Sequence, residues 1–358
     1  MNLIFTSYAS SPEYNDPAKW LERIAGYTGM LESLSQRHNV IGIERINYEG
    51  TQIKNSVQYY FIRLKSKVVY FPFGLHRLVK KLHPDIVFIN GFIFPLQIIQ
   101  LRLKLGKKVK IIVLHRAEKP GTGIRKILQR IAARCINAYF FVSSEMGMEW
   151  VEKGIIKNKE KIMEVIQASS IFYAENKPHD NLVFLWVGRL DDNKDPLTVI
   201  KAFLQFVNYQ PLAKLYMVYQ SQEILAAIKK LLAANPQEAA SIKLVSKVPH
   251  SELQQWYNKA NFIISGSHYE GSGIAVVEGM SCGCIPIVTN IQSFSKMTGP
   301  GKCGFLYEAG NDEDLLAILL KTATMNIEEE KNKTLQQSKR ELSFEAIAKK
   351  VNNIIAEL

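Results

Sequence analysis

Cysteine is scarce in this chain. Four occur in 358 residues, Cys135, Cys282, Cys284 and Cys303, and no Cys-x-x-Cys pair meets a second pair to complete a zinc site. That leaves buried free thiols in a reducing compartment as the expectation. Long apolar runs are also missing. The most apolar stretch, 86–100, is broken by Asn90, Gly91, Pro95, Gln97 and Gln100 and is followed by Arg102. It falls short of the ~20 apolar residues of a membrane span. The opening residues, Met1-Asn2-Leu3-Ile4-Phe5-Thr6, lack the basic and long apolar regions of a signal peptide and read as a first β-strand. The expected location is therefore the cytoplasm. Low-complexity tracts and internal repeats are lacking too. So is an Asp-x-Asp pair at a strand end that would hold a metal, since Asp191-Asp192 lies in a turn beside Arg189.

What is present is a globular composition, 47% hydrophobic and 22% charged, with length for two domains of roughly 150–200 residues each. The net charge of +12 is unevenly spread. Residues 1–175 carry 26 Lys and Arg against 14 Asp and Glu, while residues 176–358 carry 19 of each. Within the first half, 102–134 holds 11 basic residues and one acid, Glu118. Such a field implies an anionic partner: a phosphate-bearing substrate, a membrane surface or nucleic acid. No compact nucleic-acid-binding motif accompanies it, so no nucleic acid is expected.

Short β-branched or aromatic runs alternate with helical patterns. Strands are expected at 3–5, 40–43, 58–62, 86–90, 109–114 and 139–142, then at 183–187, 214–218, 243–245, 262–265 and 285–289. Helical patterns lie between them, as at 18–37, 124–136 and 196–208. This alternation implies an α/β fold of parallel sheets with helices on both faces. The polar segment Glu175-Asn-Lys-Pro178-His-Asp180 reads as a linker. The expected domains are 1–170, 171–342, and a C-terminal helix at 343–358 packing back toward the first. In 124–136, Ile124, Ile127, Leu128, Ile131, Ala132 and Cys135 share one face expected to be buried. Lys126, Arg130 and Arg134 recur on another face, available to phosphates. With Arg102, Lys104, Lys107, Lys108, Lys110 and Arg125 they form the densest basic region. A solvated basic face serving only solubility is the alternative.

The most informative stretch is Ser265-Gly-Ser-His-Tyr-Glu270-Gly-Ser-Gly-Ile-Ala-Val-Val-Glu278-Gly-Met-Ser-Cys-Gly-Cys-Ile-Pro286. A strand ends near Ser265, a glycine-rich loop follows, and a helix opens near Ser272–Gly273. Ligands of open α/β sheets bind beyond the carboxyl ends of the strands. The amides of Gly271, Ser272, Gly273 and Ile274 would point there, and a helix N-terminus with small residues favours a pyrophosphate. Glu270 precedes the helix and Glu278 lies about one and a half turns into it. Both carboxylates border one pocket in this reading, one near a transferred sugar and one near a ribose diol. A glycine-rich turn capped by a solvated helix is the bland alternative. A dinucleotide-binding reading fits poorly, because Val276 stands where a third glycine belongs.

This stretch resembles the EGxG…E-x-M-x-x-G-x-P signature of glycosyltransferase family 4, in the GT-B superfamily, with the gap from Gly283 to Pro286 one residue longer. A second segment, Trp186-Val-Gly188-Arg189-Leu-Asp-Asp-Asn-Lys194, resembles the family's G-R-x-x-x-x-K motif. The resemblance implies two Rossmann-like doubly wound domains facing a central cleft, and a retaining glycosyltransferase. Glu270 would lie against the donor sugar and assist transfer, and Glu278 would bind the nucleotide ribose. Arg189 and Lys194 would neutralise the leaving diphosphate in place of a metal. Lys247 and Val248 match the loop that cups the base, and His115, at a strand end, would touch donor sugar or acceptor unless it is simply structural. Gly301-Lys-Cys-Gly304-Phe-Leu306 resembles a scaffolding turn of the family.

Departures are Ser272, where an aromatic is commoner, Ser10-Ser11-Pro12 in place of a Gly-Gly loop, and Gln167-Ala-Ser-Ser170 at the junction. The implied co-substrate is a nucleotide-sugar, UDP-linked rather than GDP-linked, with no cofactor and no metal. The implied acceptor is a saccharide or lipid-linked saccharide met at an anionic membrane surface. A sugar-nucleotide epimerase or an inactive partner subunit of the same fold is the alternative, and after these a nucleic-acid-binding protein.

Overall fold

The computed structural model describes residues 1–63, 70–167, 169–175 and 182–358. Most of the expected linker, and Ala168, lie outside the described residues. The chain divides into two compact units, Met1–Ser169 with Phe344–Leu358, and Ser170–Ser343.

Unit 1 holds strands β1 (Asn2–Ser7), β2 (Asn39–Glu44), β3 (Gly50–Lys54), β4 (Val57–Phe61), β5 (Ile86–Asn90), β6 (Lys110–Leu114), β7 (Ala138–Phe141) and β8 (Ile162–Glu164). Their order is β3-β4-β2-β1-β5-β6-β7-β8, and all pairs are parallel except β3 with β4. Leu3, Phe5, Val40, Phe88, Ile112 and Phe140 pack in one core beneath this sheet. Chain order reverses direction between β1 and β5. There Ser7 pairs with Asn90, and Asn90 with Leu114, so these strand ends and His115 share one carboxyl edge.

Strands β3 and β8 add to those expected in unit 1, and three further features differ from the sequence expectation or extend it. The 18–37 pattern is two helices, Pro17–Arg23 and Ala25–Ser35, because Ile24 leaves helical geometry (φ −102°, ψ 17°). The break lets Leu21 as well as Met30, Leu31 and Leu34 reach the core. The helix Phe344–Glu357 buries Ile347, Ala348, Val351 and Ile355 and packs against Ala25–Ser35. Contact is close, since a Cβ on Gly29 would stand 2.5 Å from the Phe344 ring.

The third is a correction. The helix Gly123–Ala133 turns Gln129 and Ala132 inward and leaves Ile124 78%, Ile127 56% and Ile131 42% exposed. Of the face expected to be buried, Ala132 is, Leu128 and Cys135 are half-buried, and the three isoleucines point outward instead. Gln129 takes the inner place because its amide accepts from Gly121 N at 2.9 Å and donates to Phe92 O at 3.1 Å. Those loop groups would otherwise be unpaired. Arg102 is not part of a free basic surface either. Its guanidinium donates to the carbonyls of Gly106, Val109 and Cys135 and to Asn137 Oδ1, tying a helix end to the next strand.

Unit 2 is a six-stranded, wholly parallel sheet in the order β11-β10-β9-β12-β13-β14. The strands are β9 (Val183–Gly188), β10 (Lys214–Tyr219), β11 (Ile242–Val245), β12 (Phe262–Ser265), β13 (Ile285–Thr289) and β14 (Phe305–Tyr307). Phe184, Trp186, Phe203, Phe206, Met217, Phe262 and Ile287 form its core. Fully buried parallel strands need apolar residues on both faces, which is why these runs are continuous and do not alternate. Chain order switches direction between β9 and β12. The loops leaving Gly188 and Ser265 therefore emerge side by side.

Candidate active site

At that switch point the first loop folds on itself. Asp191 Oδ1 accepts from Lys194 N at 2.9 Å, and Asp191 Oδ2 pairs with Arg189 at 3.0 Å. Asp191 is thereby engaged within the turn, which holds Arg189 over it with 58% of its side chain exposed. Asp195 caps the helix Pro196–Phe206 through Thr198 N and meets His268 Nε2 at 3.1 Å. The second loop is stitched to the first by main chain. His268 N donates to Asn193 O at 2.8 Å, and Asn193 Nδ2 to Tyr269 O at 3.1 Å. Gly266 permits the approach, since a Cβ there would come within 2.8 Å of Asp195 O.

This stitching delivers Lys194 Nζ onto Glu270 Oε1, a charge-assisted contact between a side chain 22% exposed and one 13% exposed. Ser267 Oγ donates to the same carboxylate oxygen at 2.9 Å. The cation and the first glutamate of the motif are thus one cluster, 76 residues apart in sequence.

Beyond Glu270, Gly271 and Ser272 lead to Gly273, which caps the helix Ile274–Ser281 in the left-handed region (φ 47°) and offers no side-chain hydrogen bond. A Cβ there would meet the Phe294 ring at 2.7 Å, so both backbone and space require glycine. Val276 N already donates to Gly273 O at 2.9 Å, so the amides that face an outside acceptor are those ahead of it, Ile274 and Ala275. The helix opens at Ile274, a residue or two later than expected, placing Glu278 about one turn in.

Glu278 is 4% exposed. Its Oε1 lies 2.7 Å from His250 Nε2, and its Oε2 accepts from Tyr257 Oη at 2.9 Å. Burial, then the Glu278 charge, push the Tyr257 hydroxyl well above its ordinary range, so it stays a donor. Phe172 stacks 4.9 Å from the His250 ring. The carboxylate keeps lone pairs beyond these two bonds, and the half-exposed His250 stands at its outer side. Sequence reasoning did not single out His250, Tyr257, Ser267 or Asn193. His250 opens the 3₁₀ turn His250–Glu252, just after Lys247 and Val248 in the segment that follows β11, and that adjacency was the available signal.

His115 belongs to unit 1. It is 2% exposed, its Nε2 lies 2.8 Å from Glu118 O, and its ring centroid lies 4.4 Å from that of Phe141. Burial lowers its pKa, against the opposing charge of Glu118, which keeps the ring neutral. The Nε2–H tautomer that donates to the carbonyl leaves Nδ1 unpartnered. Beside it, Arg116 donates to Asn90 Oδ1 at 2.7 Å and lies 4.9 Å over the Tyr27 ring, and Trp20 Nε1 donates to Glu44 at 3.0 Å. Burial raises Glu44 to about 7, against the lowering effects of Trp20 and Arg116. Three cysteines are buried and Cys135 is half-buried; all four are free.

Two units of this construction make a GT-B type of fold. Residues 167–341 match the family model described as glycosyl transferases group 1. The chain is 34% identical over 90 residues to GDP-mannose:cellobiosyl-diphosphopolyprenol alpha-mannosyltransferase of Komagataeibacter xylinus, covering 23% of each chain. The alignment thus spans about a quarter of that relative's length. Among solved structures, it is similar to sucrose-phosphate synthase from Thermosynechococcus elongatus (TM-score 0.75, 15% identity, 99% of this chain and 98% of that one). It is also similar to the Anabaena protein HepE in complex with UDP (TM-score 0.74, 13% identity, 100% of both chains). No helix among the described residues is long and apolar enough to cross a membrane.

Proposed function

We propose that this protein is a retaining glycosyltransferase that moves a sugar from a nucleoside-diphosphate sugar to a saccharide or lipid-linked saccharide. The observation that carries the reading is Lys194 held on Glu270 at the carboxyl edge of β9 and β12, next to a helix whose first amides have no cap. In this reading the diphosphate lies on the amides of Gly271, Ser272, Gly273 and Ile274, and Arg189 and Lys194 take up the negative charge that grows as it leaves. Fixed cations do this without reorganising, so no divalent metal is required of the mechanism. Glu270 orients the transferred sugar. Glu278, fixed by Tyr257 and His250, receives the ribose hydroxyls, and the main chain at Lys247 and Val248 borders the base. His115 lies on the acceptor side, at the carboxyl edge of unit 1.

Relatives named for GDP-mannose and for UDP support a nucleotide-sugar donor of either base; the closing assay decides between them, with UDP as the expected one. A lipid-linked acceptor would be reached from an anionic membrane surface through the basic first unit. The test is nucleoside-diphosphate release with UDP- and GDP-sugars side by side, with and without acceptor. Release that depends on acceptor, with the anomeric configuration kept in the product by NMR, is the expected result. Conversion of the donor alone would point to an epimerase and overturn the reading.

A further inference from the structure

Away from the carboxyl edge, at the amino ends of β7 and β8, unit 1 contains a cavity of about 100 Å³. Its lining includes Arg130, Arg134, Tyr139, Lys157, Asn158 and Lys161, and no carboxylate. Arg130 and Lys161 each spend one donor on a carbonyl, Gly154 O at 2.7 Å and Ile136 O at 2.6 Å. That holds their charged heads in place while other N–H groups remain. Tyr139 is 1% exposed, and its hydroxyl is buried without a hydrogen-bond partner. A buried hydroxyl left unpaired costs free energy that a ligand oxygen would recover. Four cations, an amide and an unpaired phenol together describe a seat for a phosphate group.

The same helix says where that phosphate comes from. Ile124, Ile127 and Ile131 recur at helical spacing on one exposed arc of Gly123–Ala133. Lys126, Arg130 and Arg134 occupy the adjoining arc, and no acid lies on the helix. The neighbouring helix Pro95–Leu105 packs against it and leaves Leu103 80% exposed, with Lys104, Lys107 and Lys108 following. A site for a soluble phosphate compound has no use for an exposed isoleucine row. An apolar stripe bordered by cations is the pattern of a helix lying in a bilayer interface.

We propose that the helix Gly123–Ala133 lies on an anionic phospholipid bilayer, with its three isoleucines among the acyl chains and a lipid phosphate seated in the cavity beside Tyr139. This deepens the membrane side of the function proposed above and is independent of which sugar is transferred. It also differs from simple attraction by a basic surface, because part of the binding is apolar and survives salt.

The experiment is sedimentation of the intact chain with vesicles of phosphatidylcholine alone and of phosphatidylcholine with phosphatidylglycerol, at low and at molar salt. Acceptor-dependent nucleoside-diphosphate release in solution is measured on the same preparations, so loss of docking and loss of transfer are read separately. The chain should pellet with the anionic vesicles only, and a fraction should stay bound at molar salt. Replacing Ile124, Ile127 and Ile131 by Ser should remove that salt-resistant fraction. The pair Arg134→Glu and Lys157→Glu should lower affinity for anionic vesicles at least about tenfold. Tyr139→Phe removes one hydroxyl and no charge, so it should weaken anionic binding several-fold without lowering the melting temperature. Equal recovery in the supernatant with both vesicle types overturns the proposal. So does binding indifferent to the isoleucine and Tyr139 changes, which is plain electrostatic adsorption. Stabilisation by glycerol phosphate without vesicle binding also overturns it and marks the seat as one for a soluble phosphate.

Discussion

Glu270 and Glu278 stand eight residues apart in sequence and in unlike surroundings. Glu270 is tied to a lysine and a serine at the rim, whereas Glu278 is buried with a tyrosine and a histidine on its two oxygens. Their replacements should therefore behave differently. Glu270→Gln should lower kcat with little change in nucleotide affinity, because it removes charge where the proposed mechanism puts the sugar. Glu278→Ala should weaken nucleotide binding by about 1.5–3 kcal/mol, the worth of a charged hydrogen bond. It should also lower the melting temperature, since Tyr257 loses its acceptor in the core. Steady-state kinetics with calorimetric titration of the nucleoside diphosphate check both. Unchanged kinetics in both variants would remove this cluster from the mechanism. Arg189 and Lys194 act on one diphosphate in the proposed mechanism. Their double replacement should then depart from the sum of the single effects by about 0.5 kcal/mol or more in kcat/KM, and additivity would separate them.

Among the elements, the C-terminal helix Phe344–Glu357 closes the core of the first unit although more than 170 residues of sequence intervene. Ile347 is 2% exposed there, so Ile347→Ala should cost about 2–5 kcal/mol in urea denaturation. A loss under about 1 kcal/mol would show that the helix is dispensable. The carboxyl end of β2 carries a pH signature. Glu44 is raised to about 7 from an ordinary value of 4.5. The folded state therefore holds a proton that the unfolded state has released. This stabilisation is complete below about 4.5 and is lost as pH rises through about 7. His76, buried and lowered to about 4, works in the other direction, gaining stability as pH rises from about 4 toward 6.5. The readout is accordingly the difference between wild type and Glu44→Gln. Across pH 4.5 to 7 the wild type should lose on the order of 1–2 kcal/mol relative to the variant, allowing for the part of the side chain that water reaches. Parallel stability curves would contradict it.

For the whole molecule, the proposed mechanism predicts that transfer persists in excess chelator, because in it the cations that meet the diphosphate belong to the chain. Loss of transfer in chelator with rescue by magnesium or manganese would overturn that. The alternation of apolar strands and helices was legible because parallel sheets buried on both faces need continuous β-branched and aromatic runs. β3 was not legible. Its residues are mostly exposed, so no hydrophobic pattern marks it, and only the turn at Asn55-Ser56, both at positive φ, gives it away. The glutamate motif and the arginine–lysine segment were also legible, because a glycine-rich turn and a cation-bearing turn each make their demand locally. What sequence spacing decided was which residues lie at strand ends. Which side chains meet there was decided only by tertiary structure. Lys194 reaches Glu270 because β9 and β12 are neighbours in the sheet, and His250 and Tyr257 reach Glu278 across 28 and 21 residues. The helix Gly123–Ala133, whose isoleucines face outward, shows the same limit. Its periodicity is that of an amphipathic helix, but periodicity cannot say which face turns inward when a loop offers two backbone groups that Gln129 pairs.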